Sequence, residues 1–332
     1  MKELLKYLPQ IRGKKIGVYG DLIADEYVFG TIHRFSREAP VFVVNYEASD
    51  IGPGGAANAV NNIHELGGHP YPIGVLGKDA PGKTLMGVLQ EKGISLDGIV
   101  RDERQATFVK QRVVAGSPHS VKQQILRIDR CIPLPSESAS HKELSGKLME
   151  LSKNLDALIV SDYGLGVANP SHLAPILRDL TSQGLPCFVD SRYGLSSYRG
   201  ITAATPNEPE LETLHGSTLD SKTLLQAGNS IVKKLDLQAL LVTRGKFGMA
   251  LFTKDNEPAI IPIFGSSDIV DVTGAGDTVI STFALCSAAG ASFYDAARLA
   301  NCAAGLVVMK RGAATVTPEE LSEAIRIADM HE

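Results

Sequence analysis

Residues 271–289 read Asp271-Val-Thr-Gly-Ala-Gly-Asp277 and then Thr278-Val-Ile-Ser-Thr-Phe-Ala-Leu-Cys-Ser-Ala-Ala289, a glycine turn feeding an apolar helix. The uncharged run from Thr278 to Tyr294 is too short, and too rich in Ser, Thr and Gly, for a membrane span. It reads instead as a helix buried in a core. Gly274 and Gly276 leave backbone N–H groups uncovered at the helix start, where the dipole also favours negative charge. That arrangement suits a polyphosphate or a phosphoryl group in transfer. Asp277, in the same electropositive first turn, is placed to take a proton from an attacking hydroxyl. The plainer local reading is an ordinary helix start in which Asp277 only complements the dipole. The two glycines argue against it.

Outward from this turn, apolar runs of strand length alternate with helical patterns along almost the whole chain. Lys15–Gly20, Tyr71–Leu76, Ala157–Ser161, Pro186–Asp190, Ile201–Thr205 and Ala239–Thr243 read as strands. Ala57–Leu66, Pro81–Lys92, Glu137–Asn154, Ser171–Gln183, Ser221–Leu235, Ala275–Ala289 and Pro318–Ala328 read as helices. Such alternation predicts an α/β fold with a mostly parallel sheet flanked by helices. Pro40–Tyr46, Thr107–Ala115 and Gln123–Ile128 break the rhythm and read as antiparallel β without intervening helices. They predict a small β-sheet lid, formed from about 31–47 and 104–130, on one domain spanning 1–332.

The 332 residues carry 33 basic and 37 acidic side chains, a net charge of −4, which disfavours nucleic acid and anionic membranes as partners. With 44% hydrophobic and 21% charged residues, disordered and collagen-like classes are excluded. Cys131, Cys187, Cys286 and Cys302 include no C-x-x-C pair and read as reduced thiols. Met1–Lys6 lacks the apolar region of a signal peptide. The expectation is a cytoplasmic protein.

Open α/β sheets bind ligands beyond the carboxyl ends of their strands, so the junctions there matter most. Gly52-Pro-Gly-Gly-Ala-Ala-Asn58 is a second glycine-rich turn, readable as ligand approach with Asn58 holding a hydroxyl, or simply as tight packing. Its half-match to a dinucleotide fingerprint is weak alone. Asp21 and Asp25 follow the first strand, suited either to sugar hydroxyls or to capping a turn. Asn207 and Glu210 stand three apart, a spacing that can orient metal-bound water or begin a helix. Gly77-Lys-Asp-Ala-Pro-Gly-Lys-Thr84 satisfies the P-loop pattern, but Pro81 removes an N–H from the cradle and Asp79 adds negative charge to it. A tight turn into a helix is the better reading. Segment 101–130 holds seven basic and three acidic residues, net +4 in an acidic chain. Lys110 and Arg112 share one strand face by the period of two. They read as a phosphate-facing surface or as a charged edge strand.

Taken together, these junctions resemble the ribokinase-type, or PfkB, carbohydrate kinase family from Gly20 to about Pro318. Gly54-Gly55-Ala56-Ala57-Asn58 and Asp271–Asp277 are similar to its two signatures. The resemblance implies Asp277 as catalytic base, Gly274, Ala275 and Gly276 as the anion hole, and Asp25, Gly54, Gly55 and Asn58 at the sugar. It implies ATP and Mg²⁺, with Asn207 and Glu210 holding the metal through water and Thr243, Gly245 and Gly248 at the nucleotide. Asp271 and Thr273, with the Gly312 turn, occupy its monovalent-cation loop, where K⁺ is the expected ion. Phe35-Ser-Arg-Glu-Ala-Pro-Val41, Thr107-x-x-Lys110-x-Arg112-Val113, Gln124-x-x-Arg127-x-Asp129 and Ser161-Asp-Tyr-Gly164 resemble members that phosphorylate the anomeric hydroxyl of a heptose 7-phosphate for lipopolysaccharide core precursors. Lys110, Arg112 and Arg127 are then the expected binders of the substrate phosphate. Phe42, Leu165 and Ser191-Arg192 depart from that group's Pro, Lys and Pro-Lys, which bears on the exact sugar. No H-x-G-H occurs through Glu332, so the nucleotidyltransferase activity that often accompanies such kinases is not expected. A kinase for another sugar or nucleoside, or a non-catalytic sugar-binding regulator, is the alternative. Apolar side chains on both faces of Val41–Tyr46 predict a homodimer through the lid.

Overall fold

The computed structural model describes residues 1–118, 120–265 and 270–329. Among them thirteen strands form two sheets: β1 Lys15–Gly20, β2 Leu22–Phe35, β3 Phe42–Gly55, β4 His69–Gly77, β5 Ile99–Asp102, β6 Phe108–Gly116, β7 Gln123–Arg130, β8 Ala157–Asp162, β9 Cys187–Ser191, β10 Ala203–Ala204, β11 Ala239–Thr243, β12 Met249–Thr253 and β13 Ala259–Ile261. The large sheet runs β13-β12-β11-β10-β9-β8-β1-β4-β5, parallel except where β12 pairs antiparallel with β11 and β13. Side chains alternate between its faces with the strand period of two. Ala157 and Ile159 of β8 face one apolar core, Leu158 and Val160 the other. Helices cover both faces, as parallel sheets require.

The helix Ala275–Ala288 is buried along Asp277–Cys286. Its polar residues are satisfied inside the protein: the Thr278 hydroxyl donates to Asn62 Oδ1 at 2.8 Å and the Ser281 hydroxyl to the Ala59 carbonyl at 3.1 Å. No helix among the described residues is long and apolar enough to cross a membrane.

The small sheet has the order β3-β2-β6-β7. It consists of two antiparallel hairpin pairs joined through a parallel β2–β6 pairing, so it is mixed rather than wholly antiparallel. Its first two strands extend beyond 31–47, β2 beginning at Leu22 and β3 ending at Gly55, while β6 and β7 lie within 104–130. The 14-residue β2 leaves β1 after one residue, starts buried and ends exposed. Gly52–Gly55 closes β3 rather than forming a free turn, and the helix Ala56–Glu65 follows directly. Register sets Asp25 beside Lys110 and Tyr27 beside Arg112.

The P-loop-like segment is closed to phosphate. Asp79 caps the helix Ala80–Glu91 by accepting from Gly82 N–H at 3.0 Å, and its carboxylate also takes Thr107 N–H and hydroxyl at 2.9 and 2.6 Å. A carboxylate already fills the space an anion would need.

Candidate active site

The ends of β1, β8, β9 and β11 converge where the small sheet overhangs the large one, and two cavities meet there. One, of 550 Å³, is lined by Asp162, Asp190, Asn207, Glu210, Thr243 and Gly276 among others. The second, of 220 Å³, is lined by Asp25, Gly55, Asn58, Lys110, Arg112 and Arg127 among others. Tyr163, Arg192, Val272, Gly274 and Asp277 line both.

Asp277 sits in the first turn of its helix with its side chain buried. Oδ2 accepts from Asn58 Nδ2 at 2.7 Å and Oδ1 from the Tyr163 hydroxyl at 2.9 Å. Burial pushes the carboxyl up to about 6, against the two hydrogen bonds that favour its ionised form. Asn58 therefore holds the carboxylate as well as facing the small cavity. Gly274 adopts φ +80°, and a Cβ there would lie 2.6 Å from Asn58 Nδ2. A side chain at 274 would drive this pair apart. The Ala275 N–H donates to the Val272 carbonyl at 3.2 Å, which takes it out of the expected anion hole. Among the described residues, the Gly276 and Asp277 amides keep no acceptor and remain for an anion.

Gly54 leaves room for a neighbouring acid on β2: an added Cβ would approach Asp25 Cγ at 2.5 Å. Asp25 is buried and pairs through Oδ1 with Arg112 Nη1 at 2.8 Å. Burial pushes the Asp25 carboxyl up, and Arg112 works against that. Arg112 also lies over the Tyr27 ring, 5.4 Å from its centroid. Arg127 pairs with Asp129 at 2.9 Å. Lys110 and Arg112 do share a face, yet of the three expected phosphate binders only Lys110 lacks a carboxylate partner among the described residues. Its Nζ lies 4.5 Å from the Tyr163 centroid, and burial together with repulsion from Arg192 pushes its ammonium down. Asp21 turns away from both cavities. It is fully buried and accepts from the N–H groups of Tyr163, Leu165 and Val167 at 2.8, 3.1 and 3.2 Å.

Asn207 and Glu210 form a reciprocal helix cap, Asn207 Oδ1 accepting from Glu210 N–H at 2.8 Å and Glu210 Oε2 from Asn207 N–H at 2.9 Å. Burial raises both the Glu210 and Asp190 carboxyls, and their mutual repulsion adds to the shift at Asp190. Among the described residues no three His, Cys, Asp or Glu side chains gather into a metal cage. Paired acids at the mouth of an anion site suit a hydrated magnesium ion that takes its other ligands from phosphates. Thr243 lines the large cavity, whereas Gly245 and Gly248 do not; they shape the turn that closes through Arg244 N–H and the Gly248 carbonyl at 2.8 Å. Asp271 accepts from Thr273 N–H and Gly312 N–H, both at 2.9 Å. Burial works to raise its carboxyl, but these bonds hold it below the usual range.

Residues 34–320 match the family described as pfkB family carbohydrate kinase. The chain belongs to that family. Its curated relatives include the "Bifunctional protein HldE" of Citrifermentans bemidjiense, 40% identical over 92% of this chain and 62% of the relative. The protein of the same name from Vibrio parahaemolyticus is 36% identical over 96% and 65%. The chain thus spans less than two thirds of the length of these relatives. Among solved structures, an Arabidopsis thaliana ribokinase complexed with ribose and ATP superposes with a TM-score of 0.73 at 22% identity, covering 95% of this chain and 99% of that one. The Escherichia coli phosphofructokinase-2 in complex with potassium gives 0.78 at 17%, covering 96% and 99%. These two likenesses establish the ribokinase-like fold of the pfkB chain.

Among the site residues that sequence reasoning did not single out individually are Tyr163 and Arg192. Each directly follows the carboxyl end of a strand, β8 and β9, and that position was the available signal.

Proposed function

We propose that this chain is an ATP-dependent sugar kinase acting on the anomeric hydroxyl of a heptose 7-phosphate. The observation that carries the reading is the buried Asp277 carboxylate at the junction of an acid-lined cavity and a base-lined one. The nucleotide occupies the larger cavity and the sugar phosphate the smaller, under the small sheet acting as a lid. Asp277 takes the proton of the attacking hydroxyl. A carboxyl near 6 is ionised at neutral pH yet basic enough to accept that proton. The Gly276 and Asp277 amides face the charge that builds on the transferred group. Magnesium, held through Asn207 and Glu210 by way of water, would neutralise charge on the phosphates. Positioning and electrostatics supply most of the rate in such transfers.

Lys110, with Arg112 and Arg127 behind it, supports a substrate that already carries a phosphate, because a neutral sugar gains little from such charge. The resemblance of the 107–129 and 161–164 segments to heptose 7-phosphate kinases points the same way. Asp271, Thr273 and the Gly312 turn form the loop at which K⁺ would act, and exchange of K⁺ for Na⁺ tests that. Phe35, Phe42 and Tyr46 are exposed at 63%, 50% and 66%, which supports a homodimer that covers this end of the lid. ATP as co-substrate and four free cysteines support a cytoplasmic setting. A screen of sugar phosphates for ATP turnover tests the proposal. Preference for a heptose 7-phosphate supports it, and turnover confined to an unphosphorylated sugar or a nucleoside overturns it.

A further inference from the structure

Of the residues shared by the two cavities, Arg192 alone carries positive charge. It is also the one cation among the described residues that line the larger cavity, where Asp162, Asp190, Glu210 and Asp277 supply four carboxyl groups. A terminal phosphoryl group entering that cavity meets acids on several sides and one guanidinium. The Arg192 backbone is fixed: its N–H donates to the Asp162 carbonyl at 3.1 Å. The preceding Ser191 hydroxyl donates to Asp162 Oδ2 at 2.7 Å and accepts from Gly194 N–H at 2.9 Å. Its side chain rests on the Tyr163 ring, Cζ 4.5 Å from the centroid, and no carboxylate lies within ion-pairing distance among the described residues. Lys110 lies at the same distance from the same ring, also unpaired. Two cations held about one aromatic ring repel each other, and an anion placed between them relieves that repulsion.

We infer that Arg192 is a catalytic residue that takes the oxygens of the γ-phosphoryl group as it passes from the nucleotide to the acceptor. The acceptor oxygen forms its bond to phosphorus while the bond from phosphorus to the β–γ bridging oxygen breaks. ADP leaves with that electron pair, and the hydroxyl proton goes to Asp277. The planar guanidinium fork suits phosphoryl oxygens, and its charge counts most when the three equatorial oxygens carry the most. This inference rests on the kinase reading above.

Wild type, Arg192→Ala and Arg192→Lys are compared in two assays: magnesium-dependent binding of ADP and of a non-hydrolysable ATP analogue, and ATP turnover with heptose 7-phosphate. The expected result for Arg192→Ala is a kcat lower by about 10²–10³-fold, as for loss of one preorganised transition-state donor. Sugar-phosphate KM should move by no more than about twofold. ADP should bind as to wild type, while the analogue loses about tenfold; Arg192→Lys should recover part of both losses. Wild-type kcat in Arg192→Ala overturns the inference. Equal loss of ADP and analogue also overturns it, because that marks a structural role for the arginine. If the wild type turns over no sugar phosphate, the kinase reading fails, and the two nucleotide titrations still decide whether Arg192 meets the γ-phosphoryl group.

Discussion

Tyr163 donates its hydroxyl hydrogen to Asp277 Oδ1 at 2.9 Å, and so joins the loop after β8 to the first turn of the helix that carries the base. The same residue donates its backbone N–H to the buried Asp21 at 2.8 Å. An acid at the end of β1 therefore fixes the ring that fixes Asp277.

Tyr163→Phe should make Asp277 harder to ionise. The hydroxyl stabilises the carboxylate form, so its removal raises the carboxyl above about 6. A hydrogen bond to a charged group is worth about 1.5–3 kcal/mol, which is roughly one to two pH units. The acidic limb of kcat/KM against pH should move upward by about that much, with activity largely recovered at high pH. An unmoved limb would contradict the role given to Tyr163.

Asp277→Asn should lower kcat by about 10²–10⁴-fold and yet stabilise the fold. An acid raised from 3.8 to about 6 binds its proton more tightly in the folded state. Stability from this group is therefore present at low pH and is lost as pH rises from 3.8 to about 6, roughly 2–3 kcal/mol in all. A neutral amide avoids that loss. Thermal melting at pH 7 should give a higher Tm for the variant, and a lower Tm would show that the buried charge is better compensated than burial implies.

Lys110→Ala and Arg112→Ala should part company. Both should raise KM for the sugar phosphate, about tenfold or more, with much less effect on KM for ATP. Only Arg112→Ala leaves a buried partner, Asp25, without its cation. Breaking such a pair costs about 3–5 kcal/mol, so its Tm should fall while that of Lys110→Ala holds. Equal kinetics for Arg112→Ala and wild type would leave the Asp25–Arg112 pair a purely structural role.

Phe42→Asp should give a monomer. Its ring lies 4.9 Å from that of Phe35, and both are exposed. Light scattering at micromolar concentration should show a dimer for the wild type only. A wild-type monomer would remove the dimer from the account.

Much of this was readable before the fold was known. The ends of β1 and β11 and the start of the Ala275 helix follow directly from apolar runs and glycine turns. Strand β2 was not readable, because its pairing partner β6 lies more than 80 residues on, and its pattern shifts from buried to exposed as it leaves the large sheet. Ile201–Thr205 looks like a full strand, yet only Ala203–Ala204 pairs with both neighbours. At the site, residue types marked Asp277, Asn58 and Glu210, but spacing cannot tell which charges neutralise each other. The Asp25–Arg112 and Arg127–Asp129 pairs removed two of the three expected phosphate binders from the free charge, and left Lys110 with an unforeseen partner in Arg192.

The most direct test is phosphorus NMR of the product formed from ATP and heptose 7-phosphate by the wild-type chain. The account predicts one new phosphate ester on the anomeric carbon, the 7-phosphate retained, and turnover of the unphosphorylated heptose far slower. A phosphate at any other carbon, or equal use of the unphosphorylated sugar, would contradict it.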